Sequence, residues 1–170
     1  METYSEARMA LLGVDVRFIQ DNHSMSAAVG TVRGFHFQAP PHAQAKLVRC
    51  VSGRILDVIV DLRRGSPTYG RHVSTELTAE GAEQVFVPIG FGHAFMTLEP
   101  NTEVAYKVSA LYAPECEGGV RWDDPAIAVA WPQTDATLSD RDLALPGLAA
   151  LDSPFVHDGE PLGPLVPPAA

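Results

Sequence analysis

The spacing of hydrophobic residues changes near residue 13. From Glu2 to Leu12 the pattern is typical of a short helix, which Gly13 ends. From Val14 to roughly Pro132, short runs of β-branched and aromatic residues alternate with Gly, Pro and Asn. Short strands at this spacing favour an antiparallel sandwich or barrel, in which one face of each strand points inward and can line a ligand cavity.

Two strand pairs are predicted to form hairpins. Lys46–Val51 and Arg54–Leu62 are separated by Ser52 and Gly53, and glycine supplies the positive φ of a tight turn. Gln84–Val87 and His93–Leu98 are separated by a turn that contains Pro and Gly. We therefore expect each pair to lie side by side in one sheet.

The end of the chain differs in composition from the strand region. After Trp131 it is rich in Pro and Ala, and Ser139 is a predicted N-cap of a short helix that Pro146 limits. The whole of 1–170 is predicted to be one domain, since the length is too short for two of ordinary size. Residues 152–170 are predicted to form a Pro-rich tail that runs extended over the surface or frays.

Composition and charge exclude several classes of protein. The chain is 46% hydrophobic and 19% charged, and no apolar run is long enough to cross a bilayer. Acidic and polar residues stand where a secretory signal would be basic and then apolar, so a cytoplasmic location is expected. The formal net charge is −9, and without a basic stripe no nucleic-acid partner is expected. Cys50 and Cys116 have neither metal-binding nor disulfide-framework spacing and are expected to be buried or half-buried thiols.

Two histidines stand in strand-like surroundings. His36 lies in the apolar run Val32–Gln38, where an ionisable group is unfavourable unless it faces a polar cavity or has a partner. Taken alone, His36 is more often a core histidine with a satisfied hydrogen bond. His93 ends the pattern Pro88-x-Gly90-x-x-His93, which delivers the imidazole to the start of an inward strand and matches the second motif of the cupin superfamily.

A metal site is not expected, although many cupins bind a divalent ion. Such sites take two histidines spaced His-x-His, a glutamate and a later histidine. Here Gln38 stands two positions after His36, and no glutamate occurs between Gln38 and Glu76. The alternative is a metal-binding cupin, such as a dioxygenase, with His36, His42 and His93 as ligands.

Two further side chains could act on a ligand inside the barrel. Strict alternation in Glu103–Ser109 turns Tyr106 inward and Lys107 outward, although a buried phenol can also be a core residue bonded to the backbone. Lys46 begins a strand, so it points either to the rim or into a cavity, where its ammonium would stabilise an oxyanion.

Six motifs together resemble the dTDP-4-dehydrorhamnose 3,5-epimerase family, with order and spacing kept from about Glu2 to Pro146. They are Arg33-Gly34-Phe35-His36-Phe37-Gln38, Ala43-Gln44-Ala45-Lys46-Leu47-Val48-Arg49, Asp57-Val58-x-Val60-Asp61, Ser66-Pro67-Thr68-Tyr69-Gly70, Pro88-x-Gly90-Phe91-x-His93-x-Phe95 and Trp122-x-Asp124-Pro125.

The resemblance implies a fold and a reaction. It implies an all-β cupin jelly-roll barrel with short N- and C-terminal helical segments, a homodimer, and no metal or other cofactor. It implies a nucleotide-sugar substrate, dTDP-4-keto-6-deoxy-glucose, whose C3 and C5 are inverted through an enolate to give dTDP-4-keto-rhamnose for rhamnose biosynthesis.

The resemblance also implies roles for individual residues. His36 corresponds to the base, Tyr106 to the acid, Asp142 to the partner of His36, and Lys46 to a cation beside the enolate. The implied substrate-binding positions are Glu2, Gln20, Asp21, Asn22, Arg33, Lys46, His93, Glu117 and Arg141. Pure alternation would turn Arg33 and His36 to opposite faces, so we expect a bulge or sharp twist at Gly34.

The N-terminus departs from the family pattern. Members normally carry further residues ahead of the segment that matches Met1–Ser5, with an Arg-Gly-Phe-like motif that contacts nucleotide, often across the dimer. The sequence holds no match to that stretch, which leaves truncation or altered nucleotide binding as alternatives. We expect the catalytic positions to be competent.

Two further alternatives share the same residues. A mono-epimerase that inverts only C3 or C5 of a related sugar would have the same base and acid. A non-catalytic sugar-binding cupin would bind the ligand without turnover.

Overall fold

The computed structural model describes residues 1–159, in which β-strands are the main regular structure and the helices are short. Its α-helices are α1 (Glu6–Leu11) and α2 (Asp140–Leu143). Its strands are β1 (Gln20–Ser26), β2 (Val32–Gln38), β3 (Lys46–Ser52), β4 (Arg54–Asp61), β5 (His72–Thr78), β6 (Gln84–Val87), β7 (Phe91–Thr97), β8 (Thr102–Val108) and β9 (Glu117–Gly119).

The strands form two antiparallel sheets. Within the described residues one sheet has the order β1-β8-β3-β6 and the other the order β5-β4-β7-β2-β9. An apolar cluster that includes Val48, Val104, Ile55 and Phe95 joins the inner faces of the two sheets. The predicted all-β barrel with short helical segments is confirmed.

Both predicted hairpins are wrong. β3 pairs with β6 and β8, whereas β4 pairs with β5 and β7, so the turn at Gly53 carries the chain from one sheet to the other. β6 and β7 also lie in different sheets. Gly53 does have the expected positive φ of 76°. A tight turn of this kind permits the two flanking strands either to pair with each other or to lie in different sheets. The more distant strands with which β3 and β4 pair decide between these arrangements.

A second apolar layer covers the outer face of the five-stranded sheet. Val58 and Val60 of β4 pack there against Phe35 and against Leu148 and Phe155 from the C-terminal segment. Because side chains alternate along β4, its Ile55 and Ile59 point into the barrel instead. The central strands β4, β7 and β2 of the five-stranded sheet are therefore largely buried, whereas the edge strand β5 is mostly exposed.

The segment 152–159 corrects the prediction of a surface or frayed tail. Phe155 is buried and its ring meets that of Phe37 edge-on at 5.3 Å between centroids. Ser153 is buried and donates a hydrogen bond to the Leu62 carbonyl. Val156 bridges Arg64 in parallel. The rest of the predicted tail, 160–170, lies outside the described residues.

The remaining local predictions hold in outline. α1 begins at Glu6 rather than Glu2, and Gly13 follows it with a φ of 83°. Ser139 caps α2 as predicted. Cys50 is buried, Cys116 is half-buried, and both are free thiols. In the described part of the chain, no helix has the length and apolar character that a membrane crossing requires.

Candidate active site

A cavity of about 440 Å³ lies between the two sheets. Its walls come from β1, β3 and β8 of one sheet, from β2, β7 and β9 of the other, and from α2. Most of the residues singled out in the sequence meet in it: Gln20, Asn22, Arg33, His36, Lys46, His93, Tyr106, Glu117, Arg141 and Asp142.

His36 is held by a carboxylate that arrives from the far end of the chain. Its Nε2 contacts Asp142 Oδ1, and the Ser139 hydroxyl donates to Asp142 Oδ2 at 2.8 Å. Burial alone would raise the pKa of Asp142, but the hydrogen bond and charge of His36 outweigh it, and Ser139 adds to them, so the pKa lies below its usual value. An ionised carboxylate only accepts, so Nε2 carries a proton and Nδ1 is left as the basic nitrogen of the ring.

Gly34 produces an irregularity in β2 that allows Arg33 and His36 to reach the same cavity. The pairing of β2 with β7 shifts register between Arg33 and His36, and Gly34 has a φ of 115°. A Cβ at Gly34 would lie 2.3 Å from the His93 carbonyl oxygen. Arg33 and His36 consequently both reach the cavity. The expected bulge is confirmed.

Tyr106 enters the cavity from the opposite sheet. It stands beside Val48 in the ladder between β8 and β3. Its β8 neighbours Val104 and Val108 are buried, as the alternation predicts. Burial raises the pKa of the Tyr106 phenol above its usual value, although the nearby Arg33 charge opposes this effect. The phenol is therefore a proton donor at neutral pH.

Lys46 stands at the start of β3 and lines the same cavity. Burial lowers the pKa of its ammonium from 10.5 to about 8, because removal from water disfavours the charged form. The negative charges of Glu117 and Asp57 offset part of that effect. A half-buried ammonium in a cavity can stabilise negative charge that develops on a bound ligand.

The rim of the cavity carries polar groups on two sides. On one side Gln20 donates to Asn22 at 2.8 Å, close to Arg33. On the other side Glu117 forms an ion pair with Arg141 and accepts a hydrogen bond of 2.9 Å from Tyr112. That hydrogen bond raises the pKa of Tyr112.

Sequence reasoning missed Tyr112 and assigned no role to Asp57. Asp57 lies 2.7 Å from His93 Nε2 through its Oδ2. The sequence did contain a signal for Asp57, because an acidic residue at an inward position of a largely apolar strand indicates a buried polar contact. Tyr112 carried no such signal, because it stands in a loop, where alternation does not apply.

Two predicted binding residues are not brought to the cavity of their own chain. Asp21 turns to the outer face of β1 and binds Lys107 at 2.7 Å. Glu2 forms an ion pair with Arg8 at 3.1 Å in a cleft beside α1. Their contact with substrate stays a prediction.

The three histidines considered as metal ligands, His36, His42 and His93, do not come together as one set of ligands. Within residues 1–159, no set of three or more His, Cys, Asp or Glu side chains is arranged to hold a metal ion. His42 is exposed, while His36 and His93 each direct Nε2 at a carboxylate.

Comparison with known proteins gives consistent matches. Residues 1–150 match the model of the family described as dTDP-4-dehydrorhamnose 3,5-epimerase. A protein of that name from Sinorhizobium fredii is 53% identical over 144 residues, which cover 84% of this chain and 74% of the relative.

Solved structures of similar proteins have the same fold as this chain. The epimerase of that name from Bacillus anthracis, solved with TDP and PPi bound, has a TM-score of 0.84 and 46% identity, covering 86% of this chain and 83% of that one. A dTDP-6-deoxy-D-glucose-3,5-epimerase from Legionella pneumophila, in complex with dTDP-4-keto-L-rhamnose, has a TM-score of 0.86 and 38% identity over 92% of this chain and 85% of that one.

Proposed function

The chain belongs to the dTDP-4-dehydrorhamnose 3,5-epimerase family, and from this premise we propose how its own residues invert C3 and C5 of dTDP-4-keto-6-deoxy-glucose. His36 removes the protons, Tyr106 returns them from the other side, and Lys46 stabilises the charge that forms between these steps. The observation that carries the proposal is that His36 and Tyr106 come from opposite sheets and line one cavity.

The substrate's own ketone makes the reaction accessible. The C–H bonds at C3 and C5 both lie beside the C4 carbonyl, so removal of either proton leaves an enolate with its charge on the ketone oxygen. The Lys46 ammonium stabilises that oxygen. His36 takes the proton on Nδ1, and Asp142 stabilises the imidazolium that results.

Inversion requires the proton to return from the opposite face of the ring. Tyr106 donates its phenolic proton to the same carbon, which regenerates the ketone and leaves a phenolate. Exchange with solvent then removes the proton from His36 and restores that of Tyr106. The same sequence at the second carbon completes the reaction.

The rim residues suit the nucleotide part of the substrate. Arg33 supplies a cation for the diphosphate of the substrate, at the point where the substrate extends out of the cavity. Gln20 and Asn22 supply amide donors for the same group. Arg141 and Glu117 border the other side of the opening.

We also propose that the enzyme is a homodimer of the cytoplasm. Met25 of the edge strand β1 and Ile19, which directly precedes β1, are exposed, and Leu11 of α1 is exposed as well. Exposed apolar groups along a sheet edge favour association with a second copy. Glu2 would then have to reach nucleotide bound by the partner copy.

Proton exchange in deuterated water tests the chemistry. We expect the protein to incorporate deuterium at C3 and C5 of dTDP-4-keto-6-deoxy-glucose and to invert both carbons, as followed by NMR. His36→Asn should lower exchange at both carbons by about 10³-fold, because the base is lost. Tyr106→Phe should keep exchange and lose inversion, because the proton can return only from the His36 side. His42→Asn is the matched control and should behave as the parent protein.

Each alternative gives a different result in this assay. Exchange that persists in His36→Asn removes that residue from the mechanism. Exchange and inversion at one carbon alone indicate a mono-epimerase, and activity lost on chelation and restored by a metal indicates a metal-binding cupin. Binding without exchange indicates a sugar-binding protein.

A further inference from the structure

Asp57 is a buried carboxylate on the inner face of β4. Its neighbours on that face are Ile55 and Ile59, both buried, and its own side chain has no exposed surface. Transfer of a carboxylate from water into such surroundings is strongly unfavourable unless it gains partners. Since an apolar residue of similar size usually serves stability as well as a buried ion pair, the fold alone does not account for Asp57.

Asp57 has one hydrogen-bond partner at the cavity. His93 Nε2 lies 2.7 Å from its Oδ2, while Oδ1 is buried with no hydrogen-bond partner among the described residues. Because the carboxylate only accepts, Nε2 must carry the proton of the neutral ring. Nδ1 is then left as the nitrogen with which His93 can accept a hydrogen bond from the sugar.

The charge of Asp57 also raises the pKa of Lys46, which lines the same cavity as His93. This charge, after that of Glu117, opposes the burial that lowers the pKa of Lys46, whereas Arg141 adds to the lowering. The charged or titratable groups that share the cavity with Lys46 are Glu117 of β9, Arg141 and Asp142 of α2, Arg33 and His36 of β2, His93 of β7, Tyr106 of β8 and Tyr112 of the loop before β9.

We propose that Asp57 is a positioning residue of the epimerase reaction, which holds His93 through Nε2 in one orientation and tautomer and serves as a buried counter-ion that keeps Lys46 cationic beside the ketone oxygen. This inference rests on the proposed roles of Lys46 and His93. It assigns a function to Asp57, whose hydrogen-bond partner among the described residues is His93 and not the proposed base or acid.

Asp61 provides a matched control on the same strand. It faces the same side of β4 and is as deeply buried as Asp57. It accepts hydrogen bonds from the Arg63 side chain and backbone, from Ser66 and from Thr68. Burial alone would raise the pKa of Asp61, but these hydrogen bonds hold it well below its usual range. Asp61 therefore secures a loop, and it does not line the cavity.

The test compares Asp57→Asn with Asp61→Asn in kcat, KM, pH profile and unfolding temperature. The amide in Asp57→Asn keeps the size of the side chain, but it loses the charge and can donate to Nε2, which favours the wrong tautomer. We expect kcat to fall about 100-fold with little change in KM or unfolding temperature. The high-pH limb of the profile should move to lower pH, because Lys46 loses an attractive anion. Asp61→Asn should lower the unfolding temperature and leave that limb in place.

A second background separates the two actions of Asp57. In His93→Asn, the further change Asp57→Asn should have much less effect on kcat, because the partner it positions is gone, and should still move the high-pH limb. If Asp57→Asn fails to fold, Asp57→Ala in the same comparison replaces it.

Two outcomes would overturn the inference. One is an Asp57 variant with kcat within about threefold of the parent protein and an unmoved limb. The other is an Asp57 variant that loses activity only in proportion to its unfolding, as expected of Asp61→Asn. Absence of proton exchange in the unsubstituted protein would instead contradict the proposed function itself, so the two failures are distinguishable.

Discussion

The two imidazoles of the cavity differ in how their carboxylate partners are placed. Asp142 belongs to a short helix and is secured by Ser139, whereas Asp57 belongs to a strand and keeps one oxygen without a hydrogen-bond partner among the described residues. The first carboxylate is therefore well suited to orient a base through repeated proton transfers. The second leaves a net charge inside the barrel that acts on neighbouring cations.

At the residue scale, the pH dependence of the rate should reflect Lys46. Its pKa of about 8 lies below the usual 10.5, so the stabilising ammonium is present below pH 8 and is lost above it. We expect kcat to fall above about pH 8, approaching tenfold per pH unit. Tyr106 does not account for this limb, because burial raises the pKa of its phenol.

Initial rates between pH 6 and 10, with intrinsic fluorescence as a control for folding, measure this limb. Lys46→Arg should move the limb to higher pH, since a guanidinium keeps its proton throughout this range. A rate that stays level to pH 10 in the parent protein would contradict the assignment.

At the scale of the element, α2 links stability to catalysis through one hydroxyl. Ser139 Oγ accepts from the Asp142 backbone N–H at 3.1 Å and donates to Asp142 Oδ2 at 2.8 Å. The first bond caps the helix, and the second fixes the carboxylate that holds His36. Substitutions at Ser139 can separate these two contributions.

We expect Ser139→Gly and Ser139→Ala to lower kcat by a similar factor, about tenfold, because both lose the hydroxyl donor to Asp142. Stability should differ, because glycine is tolerated at an N-cap whereas alanine lowers the free energy of unfolding by about 1 kcal/mol. Ser139→Thr keeps the hydroxyl and should preserve both properties. Steady-state kinetics and urea unfolding give the comparison, and a kcat that simply follows stability would argue against the orienting role.

At the scale of the whole molecule, the C-terminal segment completes the core behind the active site. Phe155 packs on Phe37, and Phe37 itself lines the cavity. The last described strand-like contact, between Arg64 and Val156, keeps this segment on the barrel. The segment thus connects the outer apolar layer to the cavity wall.

Truncation of Phe155 should measure this contribution. The side chain is 6% exposed, so Phe155→Ala should lower the free energy of unfolding by about 3–5 kcal/mol through lost burial and a residual cavity. The adjacent Val156 is 67% exposed, and Val156→Ala should change stability by less than about 0.5 kcal/mol. Urea unfolding measures the free energy of unfolding of both variants. A loss in Phe155→Ala as small as that in Val156→Ala would show that the segment is not part of the core.

Local features of the sequence determined much of the site. Alternation along β8 turned Tyr106 inward, and a cap residue placed α2. These features depend on steric and hydrogen-bonding preferences of neighbouring residues, so they can be read from a few positions. The roles of His36, Tyr106 and Asp142 came instead from the family resemblance, and so did the expected irregularity at Gly34, which lets both Arg33 and His36 reach the ligand.

The tertiary structure alone decided which distant segments meet. Gly53 favours a turn, but only the pairing of β3 with β8 and of β4 with β7 makes that turn a crossing between sheets. Asp57 reaches His93 because β4 and β7 are neighbours, and Phe155 is buried because the outer face of that sheet needs cover. Such contacts depend on how the whole chain buries its apolar surface, and no short stretch of sequence determines that by itself.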